Sequence, residues 1–327
     1  MDNPIRRYLE DAISAQKSFE TQLKGFAKEA SMPEAKQLFE QHAGETRVQY
    51  ERLTARLEAL GGSISPLKSF FAHLFSSIPK TAQLGHTEEE RTTQDLMMAY
   101  AVENAEVAMY QALAVSADTV SDADTVTLVR SIQSQERLTA DKIWPLIAPS
   151  AVEAFEAVKA RGEEDAQKIV IRYLQDAEAA ERNFEDALKR FSQSGDQANI
   201  QSVLAGMADK ALTQHERLED RLRNLGASPS SAKSLLAHLL AFTPLTAQFG
   251  HDEAEKSTQH LMITYAAAAA EMAMYEALAA VAVAAGDVET AALARELQGQ
   301  ESEDHRLAWE YLPDSARTSL HAVLSHT

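Results

Sequence analysis

Thr81-Ala82-Gln83-Leu84-Gly85-His86 recurs as Thr246-Ala247-Gln248-Phe249-Gly250-His251, 165 residues further along the chain. The same offset relates Tyr8-Leu9 to Tyr173-Leu174, Phe19 to Phe184, Glu51-Arg52-Leu53 to Glu216-Arg217-Leu218, Leu60-Gly61 to Leu225-Gly226 and Trp144 to Trp309. No gap is needed anywhere along this register, so the chain is a tandem duplication. One copy covers residues 1–162 and the other 163–327.

Outward from that stretch, each copy reads as four long helices plus smaller pieces. In copy one the first helix spans about 4–29, with Pro4 in its first turn. The second follows Ser31-Met32-Pro33-Glu34, a capping-box pattern, and stops at Gly61-Gly62. A linker over 63–86 carries an apolar segment, Leu67 to Leu74, read as a short helix. The third helix opens at Thr87-Glu88-Glu89-Glu90, a second capping box, and the fourth covers about Asp122 to Trp144, with a short fifth helix after Ser150. Copy two puts Asp196 and Asp252 at the cap positions of Ser31 and Thr87. Nothing alternates with period two, so no sheet is expected. Apolar seams at alternating four- and three-residue steps run through Ile5, Leu9, Ala12, Gln16, Phe19, Leu23 and Phe26, and through Leu96, Tyr100, Glu103, Val107 and Tyr110. Such seams belong to helices packed nearly antiparallel around a shared core. With short first and last turns and a long crossover between helices two and three, the expected fold class is all-α: two tandem ferritin-like four-helix bundles.

Composition narrows the function classes. Lys and Arg total 31 against 49 Asp and Glu, a net charge of −18, which repels phosphate backbones and argues against a nucleic-acid partner. The absence of cysteine excludes disulfides, thiolate ligands and thiol catalysis, and fits a cytoplasmic location. Residues 1–12 lack the apolar core of a signal peptide. The most membrane-like stretch, Ile263 to Ala285, is Ala-rich and interrupted by Glu271 and Glu276, so it reads as an internal helix and no membrane partner is expected. No Gly-rich phosphate loop, nucleophile elbow or zinc motif is present. His73/His238 and His86/His251 recur in both copies; His86 stands beside a Gly before a helix cap and reads as a turn or interface residue.

The informative residues are polar ones in apolar register. Glu103 lies on the third-helix seam with Glu106 one turn on, His42 and Glu45 share a face of the second helix, and Glu136 follows Leu128 and Ile132 on the fourth. A buried carboxylate needs a proton, a donor or a cation. Carboxylates and a histidine projecting into a bundle core are the ingredients of a di-iron or di-manganese carboxylate site.

The stretches His42-Ala43-Gly44-Glu45-Thr46-Arg47-Val48-Gln49-Tyr50-Glu51-Arg52-Leu53 and Glu103-Asn104-Ala105-Glu106-Val107-Ala108-Met109-Tyr110 resemble the second- and third-helix signatures of YciE/YciF-type ferritin-like proteins. The resemblance covers nearly all of copy one and, more weakly, copy two. It implies a dimeric four-helix ferritin-like fold, an association with bacterial stress responses and a metal-binding label, with no settled enzymatic activity. The departures are specific. Gln16 stands where the family has Glu, which copy two restores as Glu181. Copy two has Met207 for His42, Lys210 for Glu45 and Ala268 for Glu103. On the last helix the family's Glu and Asp, four apart, become Glu136 and Ala140 in one copy and Glu301 and His305 in the other. The candidate metal ligands are therefore His42, Glu45, Glu103, Glu106 and Glu136 in copy one, and Glu181, Glu271, Glu301 and His305 in copy two. Iron or manganese is the implied ion. Copy one is expected to bind better, because His42 and Glu45 share one helix face, Glu103 and Glu106 another, and Glu136 comes from a third helix, whereas copy two loses both helix-two candidates and Lys210 sets a cation where Glu45 sets an anion.

Two functions follow from these residues. One is a stress-associated helical protein acting by binding or assembly, with degenerate metal sites. The other is a di-metal carboxylate protein that oxidises iron or removes peroxide or oxygen. In either case the two copies are expected to pack as an intramolecular pseudo-dimer.

Overall fold

A computed structural model of the chain describes residues 4–64, 87–162, 166–229 and 253–325. All regular structure among the described residues is helical. Repeat one contains α1 (Pro4–Glu29), α2 (Pro33–Ala59), α3 (Arg91–Thr119) and α4 (Ala123–Arg161). Repeat two contains α5 (Ala166–Ser192), α6 (Ala198–Asn224), α7 (Lys256–Ala285) and α8 (Val288–Ser325). Single 3₁₀ turns, Glu88–Glu90 and Glu253–Glu255, lead into α3 and α7. The chain is thus two all-α bundles of four helices, with the long connection in each between the second and third. The apolar segment Leu67–Leu74, the repeated Thr81–His86 and Thr246–His251 stretches, Asp252, and His73 and His238 lie outside the described residues.

Local chemistry accounts for the helix ends. α2 stops in a Schellman motif: Gly62 N–H donates to Leu57 O at 2.9 Å and Gly61 N–H to Glu58 O at 2.8 Å. Gly61 takes φ 75°, which only glycine adopts without strain. Gly226 and Ala227 repeat this arrangement on α6. Thr87 and Glu90 form the reciprocal capping box expected of them. The box expected at Ser31 does not form. Met32 is the N-cap, and Ser31 instead bonds Thr92 at the start of α3, with N–H to Oγ1 at 2.9 Å. Asp196 and Ser257 make the corresponding contact in repeat two. The tertiary hydroxyl contact replaces the local cap in both repeats.

The fourth helix expected to end near Trp144 and the short fifth expected after Ser150 are one continuous helix, α4, which runs through Pro145 and Pro149, and α8 likewise runs through Pro313. A proline inside a helix removes a backbone hydrogen bond and strains the turn before it. Here Ile143, Ile147, Ala151, Ala154, Phe155 and Val158 are buried along one face, and that packing carries the helix past the prolines.

The two bundles meet through α3 and α7. Every residue of α3 from Thr92 to Ala117 is buried except Tyr100, and α7 is nearly as enclosed. One side of each helix packs in its own bundle and the other side against the opposite repeat. A helix enclosed on all sides is apolar on all sides, which is why Ile263–Ala285 looks membrane-like. Among the described residues one helix, over Glu253–Ala285, is long and apolar enough to cross a membrane, and 78% of its apolar window is buried in protein.

The contact is reciprocal. Arg7 on α1 reaches Glu255 at the head of α7 at 2.6 Å, and Arg172 on α5 reaches Glu90 at the head of α3 at 2.9 Å. Tyr8 and Tyr173 hydrogen-bond the same two carboxylates. Two equivalent ion pairs, each running from one repeat to the other, are what an isologous twofold interface produces.

Asp122 and Asp287 cap α4 and α8, and each is clamped by an arginine from the second helix of its repeat, Arg56 or Arg221. Burial opposes their ionisation, but the Thr125 and Thr290 hydrogen bonds and the guanidinium charges outweigh it and lower both pKa values. Their contribution is therefore present above the unfolded carboxylate pKa, about 3.9, and is lost as pH falls through the lower folded value. Asp122→Ala should cost about 0.5–2 kcal/mol at neutral pH. The penalty should shrink below about pH 4; denaturant titrations at pH 7 and pH 3 check this, and an equal penalty at both would contradict it.

Candidate metal centres

In repeat one, α2 supplies His42, α3 supplies Glu103 and Glu106, α4 supplies Glu136 and α1 supplies Gln16. All five side chains are buried. His42 Nε2 lies 2.7 Å from Glu103 Oε1 and 3.7 Å from Glu136 Oε2. One donor atom from each of His42, Glu103 and Glu136 falls within 4.8 Å of the others. The 2.7 Å contact is not aligned as a hydrogen bond, and Nε2, both Glu103 oxygens and both Glu136 oxygens are buried without one. The other ring nitrogen, Nδ1, meets Glu45 Oε2 at 3.4 Å and Thr139 Oγ1 at 3.5 Å. Glu45 thus sits outside the converging set, on the far side of the imidazole, where it orients the ring.

Electrostatics follow from this enclosure. Burial alone lowers the His42 pKa, but Glu103 and then Glu45 and Glu136 reverse that and hold it well above its ordinary value. His42 in turn draws the half-exposed Glu45 down to about 2. Burial, reinforced by Glu103, pushes Glu106 and Glu136 well up. Glu106 is engaged elsewhere: the Gln16 amide donates to its Oε2 at 2.8 Å and to the Tyr110 hydroxyl at 2.9 Å. The residue that departs from the family pattern therefore ties up one carboxylate that a second ion would need.

Repeat two assembles a different core. Glu181 from α5, Glu271 from α7 and Glu301 from α8 are buried and present oxygens within 4.8 Å of one another. Tyr275 donates its hydroxyl to Glu181 Oε2 at 2.6 Å, and Gln214 its amide to Glu301 Oε1 at 2.8 Å. Both oxygens of Glu271 and one each of Glu181 and Glu301 have no hydrogen bond. Burial, and then the neighbouring carboxylates, raise Glu181 and Glu271 well above their ordinary values; burial and Asp304 push Glu301 up to about 7. Met207 fills the position of His42 with buried apolar volume.

The structure takes His305 out of the ligand set expected for it. Its Nε2 meets Asn104 Oδ1 of the other repeat at 3.2 Å, and its ring stacks on Tyr265 at 3.8 Å. Burial and the nearby Arg137 lower its pKa to about 4. His305 stands one turn after Glu301, yet its ring faces the other repeat and not the bundle core. Lys210 also departs from expectation. Its Nζ pairs with the buried Asp304 at 2.5 Å, so part of its charge is neutralised locally and one of the grounds for ranking repeat one above repeat two is weakened. Asp304 went unnoticed in the sequence, although it stands three residues after Glu301 on the same helical face. So did His215, Glu178, Glu185 and Glu219, whose only signal was a histidine and a carboxylate four apart on α6.

The arrangement in repeat one mixes imidazole with carboxylate, while repeat two is all oxygen. Both can coordinate a hard or borderline divalent ion, and neither has the Glu plus Glu-x-x-His complement of a full dinuclear centre. No curated protein and no solved structure matches the chain. One family profile, described as a domain of unknown function, DUF892, matches it twice, over residues 6–156 and 165–320. The chain belongs to the DUF892 family, as two tandem copies.

Proposed function

We propose that each bundle core binds a single divalent ion, iron or manganese, and that the protein acts by binding or assembly with these reduced centres. The YciE/YciF-type ferritin-like assignment, its stress association and a cytoplasmic location belong to the same proposal, resting on the helix-two and helix-three signatures. The observation that carries the metal reading is the set of buried atoms without hydrogen bonds that face one another in each core, carboxylate oxygens in both and the His42 Nε2 in repeat one. Buried polar atoms in native proteins nearly always have partners, and a cation supplies one to several such atoms at once. His42, Glu103 and Glu136 would hold the ion in repeat one, with Glu45 fixing the imidazole; Glu181, Glu271 and Glu301 would hold it in repeat two. A bound iron would bring Lewis acidity and one-electron redox chemistry to these sites. The chain's own groups exclude water and orient the ligands: Tyr275 and Gln214 each fix one carboxylate oxygen in repeat two.

The alternative, a dinuclear centre that oxidises iron or consumes peroxide or oxygen, draws on Glu106 as a third buried carboxylate in repeat one. Metal titration of chelator-stripped protein, read by elemental analysis and calorimetry, separates the two. One equivalent per core is expected, with little iron oxidation. Two equivalents per core, with rapid oxygen consumption on adding ferrous iron, would establish the dinuclear reading. Ligand type also predicts a preference: the all-oxygen core of repeat two should accept manganese and magnesium, while the imidazole of repeat one favours iron. Glu136→Gln and Glu301→Gln should each remove one equivalent and so assign it. Loss of survival under stress in a host lacking the gene would test the association; unchanged survival would count against it.

A further inference from the structure

The contact between α5 and α6 carries a second histidine–carboxylate cluster, away from the core residues described above. Glu178 and Glu185, seven residues apart on α5, face His215 and Glu219, four apart on α6. His215 Nε2 lies 3.1 Å from Glu178 Oε1 and 3.4 Å from Glu219 Oε1, while Nδ1 bonds Glu185 Oε2 at 3.1 Å. Repeat one closes the same contact with Ile13, Tyr50 and Thr54, retaining only Glu20 of the four. The bundle therefore does not need these groups in order to pack.

We propose that His215, Glu178 and Glu219 bind one zinc-class divalent ion, with Glu185 as a positioning residue. The Nδ1 contact with Glu185 fixes the ring so that the Nε2 lone pair faces the other two carboxylates, the usual carboxylate–histidine–metal arrangement. Nε2 is buried and has no hydrogen bond, although two carboxylate oxygens stand within 3.4 Å of it. Glu178 is wholly buried; Arg182 holds its Oε1 at 2.9 Å, and its Oε2 is buried without a partner. Three acceptor groups turned toward one another make a cation-binding geometry, with Arg182 on Glu178 at 2.9 Å and Arg223 on Glu219 at 3.7 Å beside it. One imidazole and two carboxylates, with Glu219 partly open to solvent, form a three-ligand set that leaves a position for water. The competing occupant of Nε2 is a proton, which would make the cluster an imidazolium ion pair.

Zinc titration of the full chain after chelator treatment tests the site, followed by calorimetry and by elemental analysis after gel filtration. His215→Tyr places the residue of repeat one at this position and should cost one zinc equivalent. Glu185→Gln should weaken that equivalent about 10–100-fold, a change that helix packing alone would not produce. Glu136→Gln and Glu301→Gln should leave it intact, which separates this proposal from the core reading. If His215→Tyr fails to fold, the partly exposed Glu219→Gln carries the same expectation. The proposal is overturned if the His215 variant binds as much zinc as the native chain. It is equally overturned if Glu185→Gln leaves the affinity unchanged, or if the core variants account for all bound zinc.

Discussion

Arg172→Met should destabilise the chain by roughly 3 kcal/mol, near the low end of the usual cost of breaking a buried ion pair. The cause is the fate of Glu90, which is fully buried beneath Arg172 at 2.9 Å. Removing the guanidinium leaves the carboxylate in place but takes away its compensating charge. Hydrogen bonds from the Thr87 backbone at 2.9 Å and from Tyr173 remain, which keeps the penalty from the top of the range. Arg7→Met should behave alike, because Glu255 occupies the equivalent place in the other repeat. Each change should lower the melting temperature by roughly 2–4 °C per kcal/mol. Arg217→Met is the control. Its pair with Glu296 has two short bonds, at 2.7 and 2.8 Å, but Glu296 is exposed and Arg217 is only half-buried. Solvent screens that pair, so its loss should change stability far less than the loss of Arg172. Equal effects at Arg172 and Arg217 would show that the reciprocal pairs do not hold the two bundles together.

Glu271→Leu should change sign with metal. In metal-free protein, Glu271 is buried among two other carboxylates with neither oxygen hydrogen-bonded. Replacing such a group with an apolar side chain of similar volume is often neutral or stabilising by about 1–4 kcal/mol. The same substitution removes a ligand, so the variant should lose the stabilisation that a bound ion gives, about 2.7 kcal/mol at a hundredfold excess over Kd. Melting curves with and without manganese decide it. The native chain should gain from two cores and the variant from one. A variant that is less stable in both conditions, by the several kcal/mol typical of core damage, would mean that Glu271 is structurally satisfied in a way the metal reading does not include.

Much of this molecule is legible in one dimension. The exact 165-residue register shows the duplication, and the Leu60-Gly61 and Leu225-Gly226 pairs mark helix ends that close as Schellman motifs. The seam positions of Glu103, Glu136 and Glu301 follow from helical period and the repeat, and all three side chains are buried as that period requires. These features depend on residues within a turn or two of each other, or on a repeat that needs no folding to be seen. Local rules failed where a distant partner won: Ser31 left its cap for Thr92, and α4 ran on through Pro145 because its apolar face is buried.

Tertiary structure decided which polar seam residues meet. Helical phase places a side chain on a face but not against a particular neighbour, and in this chain a face has two possible neighbours, its own bundle or the other repeat. His305 and Glu301 share a helix, yet one faces Asn104 across the interface and the other joins Glu181 and Glu271 in the core. Lys210 looked like an obstacle to a cation until Asp304 was found to hold it. Helical period and the repeat thus place the long helices of the described residues and supply the candidate ligands. Which ligands converge was decided by long-range packing, because an ion site depends on distances of a few ångströms between helices that no local pattern encodes.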